Sequence, residues 1–195
     1  RVKLDNAPTV SGQAAYLTAG VDNDEYLKAG RRFANGKNQL VFARGQYGTE
    51  QIYAIVDDTK PGSPVYLQIQ RTGVTVSAFY SYDGISWKRF ASPVHYNASE
   101  LYTGMMVTGT GYTASFDYFT FGNYVLDKAT GFNTPVSEKS INISTSDSVS
   151  RPLGNWKIYS GDWDYCTGGF IQKSPAGSGA LVLENRPIKY NLYLE

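Results

Sequence analysis

The chain has 195 residues, with 18 Lys and Arg against 17 Asp and Glu and a formal charge of +1. Charges that nearly cancel remove the electrostatic basis for binding nucleic acid or an anionic membrane surface, and no apolar stretch approaches the roughly 20 residues of a membrane-spanning helix. Hydrophobic residues at 42% and aromatics at 14%, including 16 tyrosines, are enough to build the core of one domain of ordinary to large size.

Helical periodicity is almost absent, and short alternating segments recur every eight to twelve residues or so with turn residues between them. That pattern predicts an all-β chain, an antiparallel two-sheet β-sandwich. The first segment is Arg1–Leu4. Strands are then expected at Ala14–Ala19, Tyr26–Phe33, Gln39–Arg44, Gln51–Val56, Val65–Arg71, Val74–Tyr82, Ile85–Phe90, Leu101–Val107 and Thr113–Phe121. The clearest unit is "YLQIQRTGVTVSAFYSYDGISWKRF", a three-stranded meander. Thr72-Gly73 makes its first turn, and Asp83-Gly84 supplies the positive φ of its second. The spacing of "SYDGISW" departs from the Asp-box turn of sialidases, and an Asp-Gly hairpin explains it without any chemistry.

Residues 122–154 differ in character, being rich in Ser, Thr, Asn and Pro and poor in large apolar side chains. They read as a long connector. Within it, "SINISTSDSVS" alternates weakly through Ile141, Ile143 and Val149 and fits either a lone edge strand or extended coil. Beyond it, strands are expected at Trp156–Tyr159, Gly169–Gln172, Ala180–Glu184 and Lys189–Leu194. Read tail to head, "YNLYLE" and "RVKL" look like the two halves of one alternating strand.

The segments "AYLTAGVDNDEYLKAGRRFANGKNQLVFAR", "YLQIQRTGVTVSAFYSYDGISWKRF", "LYTGMMVTG" and "ASFDYFTFG" resemble the concanavalin A-like sandwich found as the C-terminal module of bacterial β-xylosidases. The resemblance covers roughly residues 1 to 121 and rests on structural turns, so it implies a jelly-roll fold more strongly than an activity. In that family the domain opens with a segment that here resembles the other end of the chain, "NWKIYSGDWDYCTGGFIQKSPAGSGALVLENRPIKYNLYLE". The tail looks like a displaced head. It either folds back on its own body as a circular permutant, or enters a neighbouring copy by strand addition, or marks one period cut from a longer array. Leu181, Leu183, Ile188, Leu192 and Leu194 are the expected plugs. Burying such side chains gives about 1.5–3 kcal/mol each, against a total stability of about 5–15 kcal/mol.

Reactive residues are sparse. Cys166 is the single cysteine and reads as a small buried side chain. His95 is the single histidine, so one chain cannot assemble a zinc site of the usual ligands, and no nucleophile-elbow sequence accompanies it. Glycoside hydrolysis needs two carboxylates. Asp57-Asp58, Asp22/Asp24/Glu25 and Asp162/Asp164 are the pairs on offer, but the catalytic "E.D.E" strand of laminarinase-type relatives is missing. The chain therefore reads as non-catalytic. The resemblance implies a structural calcium ion, for which Asp22, Asp24, Asp57 and Asp58 are the loop acids; the alternative is solvated turn acids. Trp163, Tyr165 and Tyr47 sit in loop-like stretches and are the candidate sugar-stacking aromatics, though Trp163 fits core or tail packing at least as well, whereas Trp87 and Trp156 fall on the apolar phase of their strands. Arg31 and Arg32 are adjacent on a strand, so they point to opposite faces, and both are expected at solvent. Asn97 and Asn142 head acceptor sequons for N-glycosylation.

These features, with no initiator Met and no signal-like apolar segment, suggest a fragment or a processed chain working outside the cell or at its surface. Two functions follow. One is a structural protein that assembles with copies of itself, head to tail, by donated strands into a filament or surface array. The other is a monomeric lectin-like module that binds carbohydrate.

Overall fold

The computed structural model describes residues 1–126, 133–140, 156–161, 163–166, 169–172, 179–183 and 188–189, with side chains for 1–117, 160, 161 and 163. The elements in chain order are β1 (Val2–Leu4), β2 (Ala14–Gly20), β3 (Glu25–Ala34), β4 (Lys37–Gln46), β5 (Thr49–Asp57), β6 (Val65–Thr72), β7 (Thr75–Ser81), β8 (Lys88–Arg89) and β9 (Val94–His95). They continue with β10 (Glu100–Thr108), β11 (Ala114–Leu126), β12 (Asn133–Ser140), β13 (Trp156–Ser160), β14 (Trp163–Cys166), β15 (Gly169–Gln172), β16 (Gly179–Leu183) and β17 (Ile188–Lys189). No helix occurs among the described residues, and none is long and apolar enough to cross a membrane.

Two antiparallel sheets pack into a β-sandwich. The first runs β14-β15-β11-β1-β6-β7-β8, with β12 on β11 and β9 on β7. The second runs β13-β16-β10-β2-β3-β4-β5, with β17 on β10. The period of two in each strand creates the core. Val2, Leu4, Val65, Leu67, Val76, Ala78, Ala114 and Phe116 from the first sheet meet Ala15, Leu17, Leu27, Ala29, Leu40, Phe42, Leu101, Met105 and Val107 from the second.

The tail strands pair with this chain's own body. β15 pairs with β11, setting Phe170 opposite Phe116, and β16 pairs with β10, setting Leu181 opposite Met105. β17 continues along β10, with Ile188 opposite Leu101. Leu183 is registered with Trp156 of β13. Leu192 and Leu194 lie outside the described residues. The tail half of the expected tail-to-head strand, residues 190–195, lies outside the described residues. Val2 and Leu4 are both wholly buried, and counting back through a Glu195–Arg1 junction puts Leu192 and Leu194 on the opposite phase, that of Arg1 and Lys3. A one-residue offset reverses every side chain.

Other expectations are corrected. Within the stretch read as a connector, β11 runs on to Leu126 and pairs with β12 from Thr120↔Ser140 to Leu126↔Asn133. Asn133–Ser140 carries two charges and a proline, which hid its strand character. The weakly alternating segment Ile141–Val149 lies outside the described residues. Expected strand Ile85–Phe90 shrinks to Lys88–Arg89 because Asp83 builds a wider loop. Its Oδ1 accepts from Ile85 N at 2.8 Å, from Ser86 N at 2.6 Å and from the Ser81 hydroxyl at 2.7 Å, leaving Ile85 83% exposed. Trp87 is half-buried rather than core, with the Arg1 guanidinium 5.2 Å from its ring centroid. The side chain of Trp156 lies outside the described residues.

Gly30 fixes how closely β2 and β3 approach. A Cβ there would fall against the Ala15 carbonyl oxygen and within 2.7 Å of Tyr16 Cα. Both atoms belong to backbone that cannot swing aside, so Gly30→Ala is expected to cost about 1–3 kcal/mol by overpacking. Thermal unfolding checks this, and an unchanged midpoint would show that the two strands can part freely.

Candidate functional site

Strands β2 to β5 turn a second face away from the core. It carries Tyr16 and Thr18 from β2, then Tyr26, Lys28 and Arg32 from β3. β4 adds Gln39, Val41 and Ala43, and β5 adds Glu50, Ile52 and Ile55. These assignments follow from register, since Tyr26↔Gly45↔Glu50, Lys28↔Ala43↔Ile52 and Arg32↔Gln39↔Asp57 are rungs opposite in phase to Leu27 and Leu40. A bulge between Phe42 and Ala43 is why Ile52 and Ile55 share a face although three apart.

The side chains on this face form one connected layer. Lys28 Nζ pairs with Glu50 Oε2 and stands 4.7 Å from the Tyr16 ring centroid and 6.0 Å from that of Tyr26. Arg32 Nε donates to Gln39 Oε1 at 3.0 Å, and its Nη1 lies 3.6 Å from Glu50 Oε1. The Tyr26 ring lies across Gly45, where a Cβ would come within 2.8 Å of its hydroxyl oxygen. Lys28 is only 8% exposed, and Tyr16, Thr18 and Gln39 are buried as well. Burial first, and the negative charge of Glu50 second, push the Tyr16 hydroxyl well above its ordinary pKa, and Tyr26 shifts the same way for the same two causes. Both phenols therefore stay protonated donors. The layer thus places the half-buried Tyr26 ring beside oriented N–H, O–H and carboxylate groups.

The two adjacent arginines divide as strand geometry requires, but not to solvent as expected. Arg32 joins this layer. Arg31 points into the sandwich, where its Nε donates to Asp58 Oδ2 at 2.7 Å with both side chains fully buried. Asp58 Oδ1 accepts from the Tyr82 hydroxyl at 2.8 Å and from Lys60 N at 3.1 Å.

Of the candidate aromatics, Tyr47 and Trp163 lie far apart in the fold. Tyr47, 75% exposed at φ 47°, tips the β4–β5 turn. Trp163 lies at the other flank of the sandwich, on β14. It packs against Phe116, centroids 6.3 Å apart, and its Nε1 donates to Ser160 O at 2.9 Å. The side chain of Tyr165 lies outside the described residues. Nor are the four loop acids brought together. Asp22 caps the β2–β3 turn by accepting from Asp24 N and Glu25 N, both at 2.8 Å, and Asp24 O accepts from Tyr47 N. Asp57 and Asp58 sit at the opposite end of the β3–β4 ladder, Asp57 on Lys37 at 2.7 Å and Asp58 on Arg31. Among the described residues no group of three His, Cys, Asp or Glu could hold a metal ion. Asn97 is exposed between β9 and β10, and His95 is exposed on β9. Asn142 and the side chain of Cys166 lie outside the described residues.

Sequence reasoning passed over Tyr16, Tyr26, Lys28 and Glu50. Their signal was the second phase of "AAYLTAG" and "EYLKAGRRF", where Tyr, Thr, Lys and Arg alternate with the core residues. Comparison with known proteins gave no match: no family model, curated protein or solved structure is similar to the chain.

Proposed function

We propose that the protein is a non-catalytic carbohydrate-binding module of the concanavalin A-like lectin type, acting outside the cell or at its surface. The observation that carries this reading is the layer of Tyr16, Tyr26, Lys28, Arg32, Gln39 and Glu50 on the face of β2–β5 turned away from the core. A sugar ring presents apolar C–H faces and a rim of hydroxyls, and a tyrosine beside fixed donors and acceptors matches both. The polar groups are already oriented by one another, so little side-chain freedom is lost on binding. Glu50 is held by two cations, an arrangement suited to orienting a ligand rather than to moving protons. The pairing of β15 and β16 with β11 and β10 of the same chain supports a monomeric module.

Calorimetric titration with neutral and acidic oligosaccharides tests the reading. At least one should bind, and Tyr26→Ala should weaken that binding about tenfold or more while leaving the fold intact. Failure of every oligosaccharide to bind would remove it.

Self-association is favoured by a different observation. β5 is a nine-residue strand that pairs with β4 along one flank and with no other described strand, and Ile52 and Ile55 are 42% and 48% exposed along it. Such an edge is a template for strand addition. Sedimentation should then show species larger than 21.5 kDa that Ile55→Lys returns to monomer; a monomer at high concentration excludes it.

A further inference from the structure

We infer that the ligand of the β2–β5 face is an acidic oligosaccharide, whose carboxylate is received by Arg32 and Lys28. The inference rests on the reading of this face as a sugar site and adds the class of sugar. Two cations share one acid there. Glu50 takes Lys28 at contact distance, whereas Arg32 Nη1 stands 3.6 Å from Glu50 Oε1, beyond good hydrogen-bond length, and its Nε is spent on the neutral amide of Gln39. The cluster therefore carries one positive charge in excess. That charge is largely withdrawn from water, the side chains of Lys28, Arg32 and Glu50 being 10%, 18% and 34% exposed. A cation so placed gains from an anionic partner, because the desolvation cost is already met in the free protein.

Among the described residues, Asp57, on the Arg32 rung, is neutralised by Lys37. Glu100 accepts from the Tyr102 hydroxyl at 3.4 Å and keeps its charge, but it lies at the far end of the sheet from Arg32, since Tyr102 is on the Gly20–Tyr26 rung and Arg32 is on the Ala14 rung. Among the described residues the partners of Arg32 are Gln39 and Glu50, which leaves Nη2 for a ligand oxygen. A guanidinium receives a carboxylate through paired N–H groups more specifically than an ammonium does. Tyr26, half-buried beside Lys28, remains a hydroxyl donor for the ring carrying that carboxylate, while buried Tyr16 backs Lys28.

The test titrates the full chain with short oligogalacturonate, alginate and hyaluronan oligosaccharides. Each is paired with its carboxyl-reduced counterpart, and neutral glucan and xylan oligomers run alongside. The expected result is that one uronate oligomer binds about tenfold or more tightly than its reduced form, the worth of one charge-assisted contact. The preference should shrink at high salt. Arg32→Gln should abolish the difference, weakening the uronate oligomer about tenfold or more relative to its reduced form. If the reduced oligomer binds equally well, or only neutral sugars bind, the assignment of an acidic ligand is overturned while the sugar site stands. If nothing binds, both fall. The ligand comparison on the unaltered protein does not depend on whether the variant folds.

Discussion

Asp58→Ala is expected to destabilise the protein by about 3–5 kcal/mol, a large part of the roughly 5–15 kcal/mol that holds a domain together. The reason lies in what the substitution leaves behind. Arg31 and Asp58 are fully buried, and Asp58 holds Arg31 through Nε, Tyr82 through its hydroxyl and Lys60 through its amide. Arg31 Nη2 donates to Lys60 O at 2.9 Å, and Nη1 has no hydrogen-bond partner among the described residues. Removing the carboxylate strands a cation that no water reaches, and the loss exceeds the net worth of the pair. Replacing both residues by apolar ones of similar size, Arg31→Met with Asp58→Leu, should recover most of the stability. Urea denaturation of the two single variants and the double variant measures this. A single-variant cost below about 1 kcal/mol would mean that the pair is solvated like a surface salt bridge. The network also fixes topology. Asp58 follows β5 directly, its amide donates to Asn38 O at 3.1 Å, and its carboxylate ties that end of β5 to β3.

That network shows where a single sequence stops informing. The strands from β2 to β7 and β10 are legible because core and surface residues alternate in each, and because Asp83-Gly84 and Thr72-Gly73 punctuate them. Arg31 defeats the same logic. Its position in the core phase of "YLKAGRRF" is readable, but a charge in that phase is tolerable only through Asp58, which sits 27 residues on and is brought beside it by β4 and β5. The polar face is legible in half. The off-phase Tyr16, Tyr26, Lys28 and Arg32 can be read from alternation, yet Glu50, which joins them, meets them only through the pairing of three strands, opposite Gly45 on β4 and thereby on the rung of Tyr26. Trp163 lies in a Gly- and Asp-rich stretch that fits either ligand stacking or packing, and Phe116, 47 residues earlier, supplies the surface on which it packs.

Ending the chain after Gly154 is the other change expected to have a large effect. It removes the strands that pair with β10 along Gly104–Val107 and with β11 along Ala114–Phe116. Both become edges, and their residues include Met105, Val107, Ala114 and Phe116, each wholly buried in the intact chain. Edge backbone groups without partners, beside apolar side chains without cover, promote association. The same cut removes Leu181, registered opposite Met105, and Ile188, registered opposite Leu101. The truncated body should therefore aggregate or unfold at much lower urea than the full chain. Adding a peptide of residues 155–195 should restore a soluble species, because the missing strands need not be covalently joined to occupy their places. The outcome also bears on how the sheets are completed in solution. Rescue by the peptide means that the places beside β10 and β11 accept strands in trans, the property an exchanging assembly requires. A truncated body that stays monomeric and unfolds cooperatively at the full chain's midpoint would show that the sandwich core is complete without its tail.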